Sequence, residues 1–330
     1  MSSPKVAVVT SYYNRAPVVR RTLESILDQT FTDFELYAVD DNSTDATWET
    51  MQALATERRD PRLKLHRNEP NKGFVRTMID TIEASRGTYV AVQGSGDVSA
   101  PTRLEKQVAL LDNRPELSTV GCFYTNIVET SGVRRPRRIV ADDVDLAQLL
   151  KGNVFSHGEV MYRRSAYNAA GGYRPAFVFS QDYDLFLRLI QVGPFATVPE
   201  LLYDRYVAFD GVSYSPEKFI RQTQLGLLAQ RLALQPLDEQ STLLADLDWA
   251  KLDCLVPRND PTLQRKLANA VIRALFWRNP TLAHELVASH MSSRTHARLW
   301  ALAIDVADTR VGTILMEPFR LALGIQERAR

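Results

Sequence analysis

The chain has 330 residues, with 40 basic and 39 acidic side chains and a net charge of +1. That length buries a sizeable core as one large domain or two modest ones, and so balanced a charge sets up no long-range field toward nucleic acid, an anionic membrane or a polyanionic substrate. Cys122 and Cys254 lie far apart, without metal-ligand spacing or a disulfide framework, which suits a reducing, cytoplasmic compartment.

The opening "MSSPKVAVVTSYYNR" carries only the apolar run of a core strand, too brief for a signal peptide. No later stretch approaches the roughly eighteen apolar residues that cross a bilayer, so no transmembrane segment is expected. "KVAVVTS" reads as a strand buried on both faces of a parallel sheet. After Pro17, Val19, Leu23, Ile26 and Leu27 fall on one helical stripe. "FELYAVDD" is a second strand, and "NSTDATWETMQAL" a helix opened by capping residues. Then come "RLKLHR", a helix with Val75, Met78, Ile79 and Ile82 in register, the strand "TYVAV", and a helix after Pro101 with Leu104, Val108 and Leu111. This alternation predicts an α/β fold, a doubly wound parallel sheet that binds ligands at its carboxyl edge.

From about residue 118 to 210 the pattern changes. Short strands around "STVGCFYTNIV" and "HGEVMYRR" surround a polar excursion, and a helix follows at "DYDLFLRLIQVG". The arginine run at 134 to 138 reads as a solvated mobile loop, or in a sharper reading as a lid or a contact for a phosphate-bearing acceptor such as a lipid carrier. From Pro216 onward the pattern is helical, broken at "VPRNDP" and "RNP". A boundary near 215 is expected, separating an α/β domain over 1–215 from a helical region over 216–330. In the latter, the apolar stripe of "FIRQTQLGLLAQRLAL" suits packing or dimerisation.

The polar residues cluster where the strands end. Strand one ends in Thr10, Ser11, Tyr12, Tyr13 and Asn14, strand two in Asp40 and Asp41, the third loop holds Asn71, Lys72 and Gly73, and the fourth strand ends at Gly94, Ser95, Gly96 and Asp97. All four fall on one edge of the expected sheet. A dinucleotide site would need a glycine-rich turn after strand one, where this chain has "TSYYNR". A nucleotidyltransferase, which would want a Gly-rich, Lys-containing loop in the same place, is set aside for the same reason.

Two segments carry a resemblance. "VAVVTSYYNRAPVVRRTLESILDQTFTDFELYAVDDNSTDAT" and "FVFSQDYDLFLRLIQVGPFATVPELLYDRY" resemble the opening and the catalytic helix of family 2 glycosyltransferases, inverting enzymes of the GT-A fold; the likeness covers roughly residues 4 to 213. It implies a GT-A-like doubly wound mixed, mainly parallel sheet with a C-terminal helical region. It also implies transfer of a sugar from a nucleotide-sugar donor, UDP-linked in this reading, to the hydroxyl of a saccharide or lipid-linked acceptor, in polysaccharide or glycoconjugate biosynthesis.

The residue roles follow from the same resemblance. Tyr13 would stack on the donor base and Asp41 would accept a hydrogen bond from its ring N–H. Arg15 and Lys72 would neutralise diphosphate oxygens, with Ser11 and Gly73 completing the donor site. Asp182 would be the base that takes the acceptor's proton, a role an ordinary ionised aspartate can fill near neutral pH. His157 would line the acceptor side. Family members end the fourth strand in D-x-D, whose last aspartate binds a divalent cation. Here those letters are Gly94, Ser95 and Gly96, so that either Asp97 alone recruits Mg²⁺ or Mn²⁺ or cationic side chains, with Arg15, Lys72, Arg76 and the run at 134 to 138 as candidates, take the cation's place; Ala208 stands where the family often has a histidine. A non-catalytic nucleotide-sugar binder or scaffold is the rival reading. The expected location is cytoplasmic, with a place peripheral to the inner face of the membrane as its variant, and a homodimer would form through the C-terminal helices.

Overall fold

Apolar runs and amphipathic stripes alternate in the order β1 (Val6–Tyr12), α1 (Ala16–Leu27), β2 (Phe34–Asp40), α2 (Thr47–Arg58), β3 (Leu63–Arg67), α3 (Phe74–Ala84) and β4 (Tyr89–Val92). Every residue of β1 and β4 is buried, as expected of strands covered on both faces. The computed structural model describes residues 3–130, 132–207, 216–276, 279–291 and 293–309, together with residue 312. They fall in two compact units, Met1–Ala208 and Phe209–Arg330.

In the first unit the chain continues through β5 (Val98–Ser99), α4 (Arg103–Asn113), β6 (Thr119–Val128), β7 (Arg134–Arg137), α5 (Leu146–Leu149), a single 3₁₀ turn at His157–Glu159, β8 (Met161–Arg163), α6 (Arg164–Ala169), α7 (Gln181–Leu189) and β9 (Phe195–Val207). Among the described residues one sheet forms in the order β3-β2-β1-β4-β8-β6-β9-β5, with β7 pairing to β6. β1 to β4 run parallel. β8 is antiparallel to both β4 and β6, β9 returns parallel to β6, and β5 lies antiparallel to β9. The sheet is therefore mixed, with its parallel half built from the first ninety or so residues.

The stripes pack as the spacing dictates. Val19, Leu23, Ile26 and Leu27 of α1, and Leu104, Val108 and Leu111 of α4, join Val6, Val8, Leu36 and Ala91 in one core, at roughly 1.5–3 kcal/mol for each large aliphatic side chain taken out of water. Two local expectations need refinement. The polar residues around the start of α2 do more than open that helix: Asp45 Oδ1 accepts from Thr47 N at 3.0 Å, while Ser43 Oγ accepts from Asn14 N, Thr47 Oγ1 from Arg15 N and Asp45 Oδ2 from Ala16 N. The α2 N-cap, Ala46, has no side-chain bond. Since β1 and β2 are neighbours, the start of α1 lies beside the end of β2, and its unpaired N–H groups take the nearest oxygens. The arginine run is likewise no simple solvated loop. Arg134–Arg137 pairs antiparallel with β6, and Arg134 is tied to both oxygens of Asp204 at 2.9 Å.

The second unit is helical among its described residues: α8 (Pro216–Leu232), α9 (Leu237–Leu244), α10 (Trp249–Leu255), α11 (Pro261–Phe276), α12 (Pro280–His290) and α13 (Arg294–Asp308). The stripe of α8, including Ile220, Leu225, Leu228 and Leu232, is buried, and α8 packs with α10, α11 and α12. No helix among the described residues is long and apolar enough to cross a membrane.

Candidate functional site

Tyr12 and Asp40 are the last paired residues of β1 and β2, so Tyr13 and Asp41 stand side by side just past the edge of the sheet. Asp41 N donates to Tyr12 O at 2.8 Å. Asn14, in the left-handed region at φ 53°, bonds through its Oδ1 to Thr44 N at 2.9 Å. This turn leaves Tyr13 half exposed, at 50%, with an aromatic face open to a ligand. The Asp41 carboxylate is buried and organises the third loop: Oδ1 accepts from Asn68 Nδ2 (2.8 Å) and Lys72 N (2.9 Å), and Oδ2 from Gly73 N (2.9 Å). Gly73 is at φ 80°, where a side chain would be strained. Ser11 is buried on β1. The Lys72 side chain is paired to Asp80 at 2.7 Å.

A second group gathers around a cavity of about 280 Å³ lined by Gly94, Asp97, Tyr124, Phe155, Ser156, His157, Gly158, Asp182 and Arg205. Asp97, His157 and Asp182, separated widely in sequence, thus share one wall-to-wall space. Tyr13 and Asp41 are not among the residues that line this cavity.

Asp182 lies in the first turn of α7, and its neighbours fix the helix around it. Tyr183 Oη donates to Leu149 O at 2.7 Å. The buried Asp184 accepts from Arg174 (3.3 Å) and Arg188 (2.6 Å). Two residues are about 200° around a helix, so anchoring Asp184 inward turns Asp182 out into the cavity, where Asn153 Nδ2 donates to it at 3.3 Å. His157 sits in the 3₁₀ turn, with Nε2 2.6 Å from Tyr173 Oη and its ring edge-on to Phe74. Burial holds the His157 pKa below its ordinary 6.5, opposed by the nearby charge of Asp182.

Asp97 is clamped from β9. Its Oδ2 accepts from Tyr203 Oη at 2.6 Å and its Oδ1 from Tyr206 N at 2.8 Å, and burial raises its pKa against these bonds. The same Tyr203 oxygen accepts from Gly94 N at 3.0 Å. These contacts bear on whether the turn suits a divalent cation. A Cβ at Gly94 would collide with Asp97 Oδ2 and lie 2.9 Å from Tyr203 Oη, and Gly96 has φ 118°, so neither place accepts an aspartate without rearrangement. Among the described residues no group of three or more His, Cys, Asp or Glu side chains could hold a metal. One carboxylate committed to two donors does not fit the cage of several oxygen ligands that Mg²⁺ or Mn²⁺ needs from protein and substrate together. Ala208 lies outside the described residues.

Three residues with no role in the sequence reading stand out. Arg205 lines the cavity. Glu159 is fully buried, and its pKa is pushed up to about 8 by desolvation, against the Ser156 N–H and the charges of Arg103 and Arg205. Arg103, also fully buried, is held by Gln93 Oε1 and Ser99 Oγ (each 2.9 Å) and Val92 O (2.8 Å) beneath the end of β4. The alternation of "YDRYV" puts Tyr203 and Arg205 on one face of β9, a signal for Arg205 once the strand is known.

A half-parallel sheet with helices on its faces, an exposed aromatic ring past its carboxyl edge and a carboxylate-lined cavity match the GT-A fold of glycosyltransferases. The family model described as "Glycosyl transferase family 2" matches residues 7–171, and the chain belongs to that family. EpsE of Bacillus subtilis (strain 168), named as a glycosyltransferase, is 36% identical over 194 residues, which cover 58% of this chain and 69% of that protein. Among solved structures, TarS 1–349 of S. aureus in complex with UDP-GlcNAc aligns over 91% of this chain and 89% of its own, with TM-score 0.57 and 18% identity. The mannosyltransferase PcManGT from Pyrobaculum calidifontis, in complex with GDP-Man and Mn²⁺, covers 98% of this chain and 87% of its own, with TM-score 0.56 and 19% identity. At these identities the structures speak for the fold, and the Mn²⁺ belongs to that relative.

Proposed function

We propose that the chain is an inverting glycosyltransferase that moves a sugar from a nucleotide-sugar donor to an acceptor hydroxyl, with Asp182 as the base. The observation that carries this reading is that Asp182, on α7, and the Gly94–Asp97 turn, at the end of β4, line one cavity. Tyr13 stacks on the base and Asp41 shapes the loop under it; Ser11, Arg15, Lys72 and Gly73 surround the rest of the donor. In the step itself the acceptor oxygen bonds to the anomeric carbon as the bond from that carbon to the diphosphate oxygen breaks. The electron pair of that bond leaves with the nucleoside diphosphate, and the hydroxyl proton passes to the Asp182 carboxylate. Attack opposite the leaving group inverts the centre. No step is routed through a cation at Asp97. UDP is the preferred nucleotide, supported by the UDP-GlcNAc complex of one structural relative. His157 meets the acceptor, a saccharide or a lipid-linked sugar of polysaccharide or glycoconjugate synthesis. The helical unit shapes acceptor binding or joins two copies, in the cytoplasm or at the membrane's inner face.

The replacement of two expected aspartates by glycine favours a second reading, a nucleotide-sugar binder without turnover. Titration with a panel of UDP-, GDP- and dTDP-sugars, followed by a transfer and donor-hydrolysis assay, separates the two. Asp182→Asn should keep donor affinity and lose turnover by roughly 10²–10⁴-fold. Turnover equal to wild type would remove Asp182 from the chemistry, and binding without turnover in the wild type would favour the binder.

A further inference from the structure

A departing diphosphate gathers negative charge, and the family's usual remedy, a cation held by D-x-D, does not fit this turn. The position of Tyr203 explains why: its hydroxyl occupies the space beside Gly94 and commits Asp97. The same strand carries a replacement. Tyr203 pairs with Tyr124, and Arg205 with Asn126, across β6 and β9. On the other side of β6, Tyr124 pairs with Arg137. Directly paired residues share a face of the sheet, so Tyr203, Arg205, Tyr124 and Arg137 all project on the face where Tyr124 and Arg205 line the cavity. On the opposite face, Arg134 Nη2 donates to both oxygens of Asp204 and links β7 to β9. Arg205 Nη1 makes one long bond, 3.4 Å, to Asn126 Oδ1.

Resting on the nucleotide-sugar reading, we propose that Arg205, with Arg137 across β6, binds the donor's diphosphate in place of a divalent cation, so that nucleoside diphosphate binding is independent of metal. A guanidinium presents several N–H donors in a planar fork, matches two phosphate oxygens at once and keeps its charge at any physiological pH. Like a metal ion, it brings a permanent positive charge to the rim of the cavity, where it can stabilise charge that develops on the leaving group. The raised pKa of Glu159 supports this: a neutral Glu159 leaves Arg205's charge for the ligand.

The test is calorimetric titration of the full chain with UDP and GDP, and with uridine and guanosine as probes lacking phosphate, each in EDTA and in millimolar Mn²⁺. The diphosphate that binds should do so with the same affinity in both buffers, to within about twofold. Arg205→Gln should weaken it by roughly tenfold to a hundredfold while the nucleoside binds as before, which also reports an intact fold. Arg205→Lys should recover part of the loss, and Arg137→Gln, on an exposed strand, should give a smaller one. Loss of diphosphate binding in EDTA, or unaltered binding by Arg205→Gln, overturns the assignment. Failure of both diphosphates to bind with or without Mn²⁺ overturns the nucleotide-sugar reading with it.

Discussion

Replacing Glu159 by Gln tests whether a charge is being kept out of the buried turn next to the cavity. Glu159 closes a capping box, its Oε1 accepting from Ser156 N at 2.8 Å. Its Oε2 is buried and has no hydrogen-bond partner among the described residues. An ionised carboxylate in that setting is costly, and the pKa accordingly rises from 4.5 to about 8. The folded protein therefore holds a proton that the unfolded chain has released. The resulting stability is fully present below the ordinary value of 4.5 and is lost as pH rises through about 8, at about 1.4 kcal/mol per pH unit between them. Gln keeps the shape and the bond from Ser156 but cannot ionise. Urea denaturation of both proteins between about pH 5 and about pH 8 should show near-equal stability at the acid end and the Gln variant ahead by a few kcal/mol at the alkaline end. His157, with its lowered pKa, acts in the opposite sense, losing stability as pH falls below 6.5. It is common to both proteins and cancels in the difference. A difference that does not change with pH would mean that Glu159 is already ionised in the fold, and the reasoning about its burial would be wrong.

The clamp on Asp97 makes two further predictions. Tyr203→Phe removes the O–H that reaches Asp97 and the acceptor of Gly94 N–H, and should cost about 1–3 kcal/mol in urea denaturation; an unchanged midpoint would show that water replaces the hydroxyl without penalty. Gly94→Asp, the simplest attempt to rebuild D-x-D, should destabilise by about 1–3 kcal/mol through crowding against Asp97 and Tyr203, and should not make UDP binding Mn²⁺-dependent; a stable variant with such dependence would refute the steric account.

The parallel half of the sheet was legible because its signals are local. Val6 to Val9 are an unbroken apolar run and Val19, Leu23 and Ile26 a helical stripe, and either pattern survives without knowledge of what it packs against. At β7 the sequence suggests a loop because "RRPR" lacks every feature of a buried strand, yet an edge strand tolerates both charge and proline. Its pairing is fixed by β6 and by Asp204, seventy residues away. The candidate site divides in the same way. Asp41 and Asp97 could be chosen from their places at strand ends and Asp182 from the family resemblance, whereas Arg205 could not, because the face of β9 that meets the cavity depends on its register with β6. The glycines show the limit most clearly. In the sequence Gly94 reads as turn chemistry or as a lost aspartate. In the fold, added Cβ atoms at Gly94 and at Gly158 would both crowd the Tyr203 hydroxyl. Two glycines and one tyrosine, from three distant segments, therefore form a single packing solution. Glycine at 94 and the tyrosine that locks Asp97 are thus coupled by packing, and the arginine two residues beyond that tyrosine stands on the same face, where the proposed diphosphate contact calls for a positive charge.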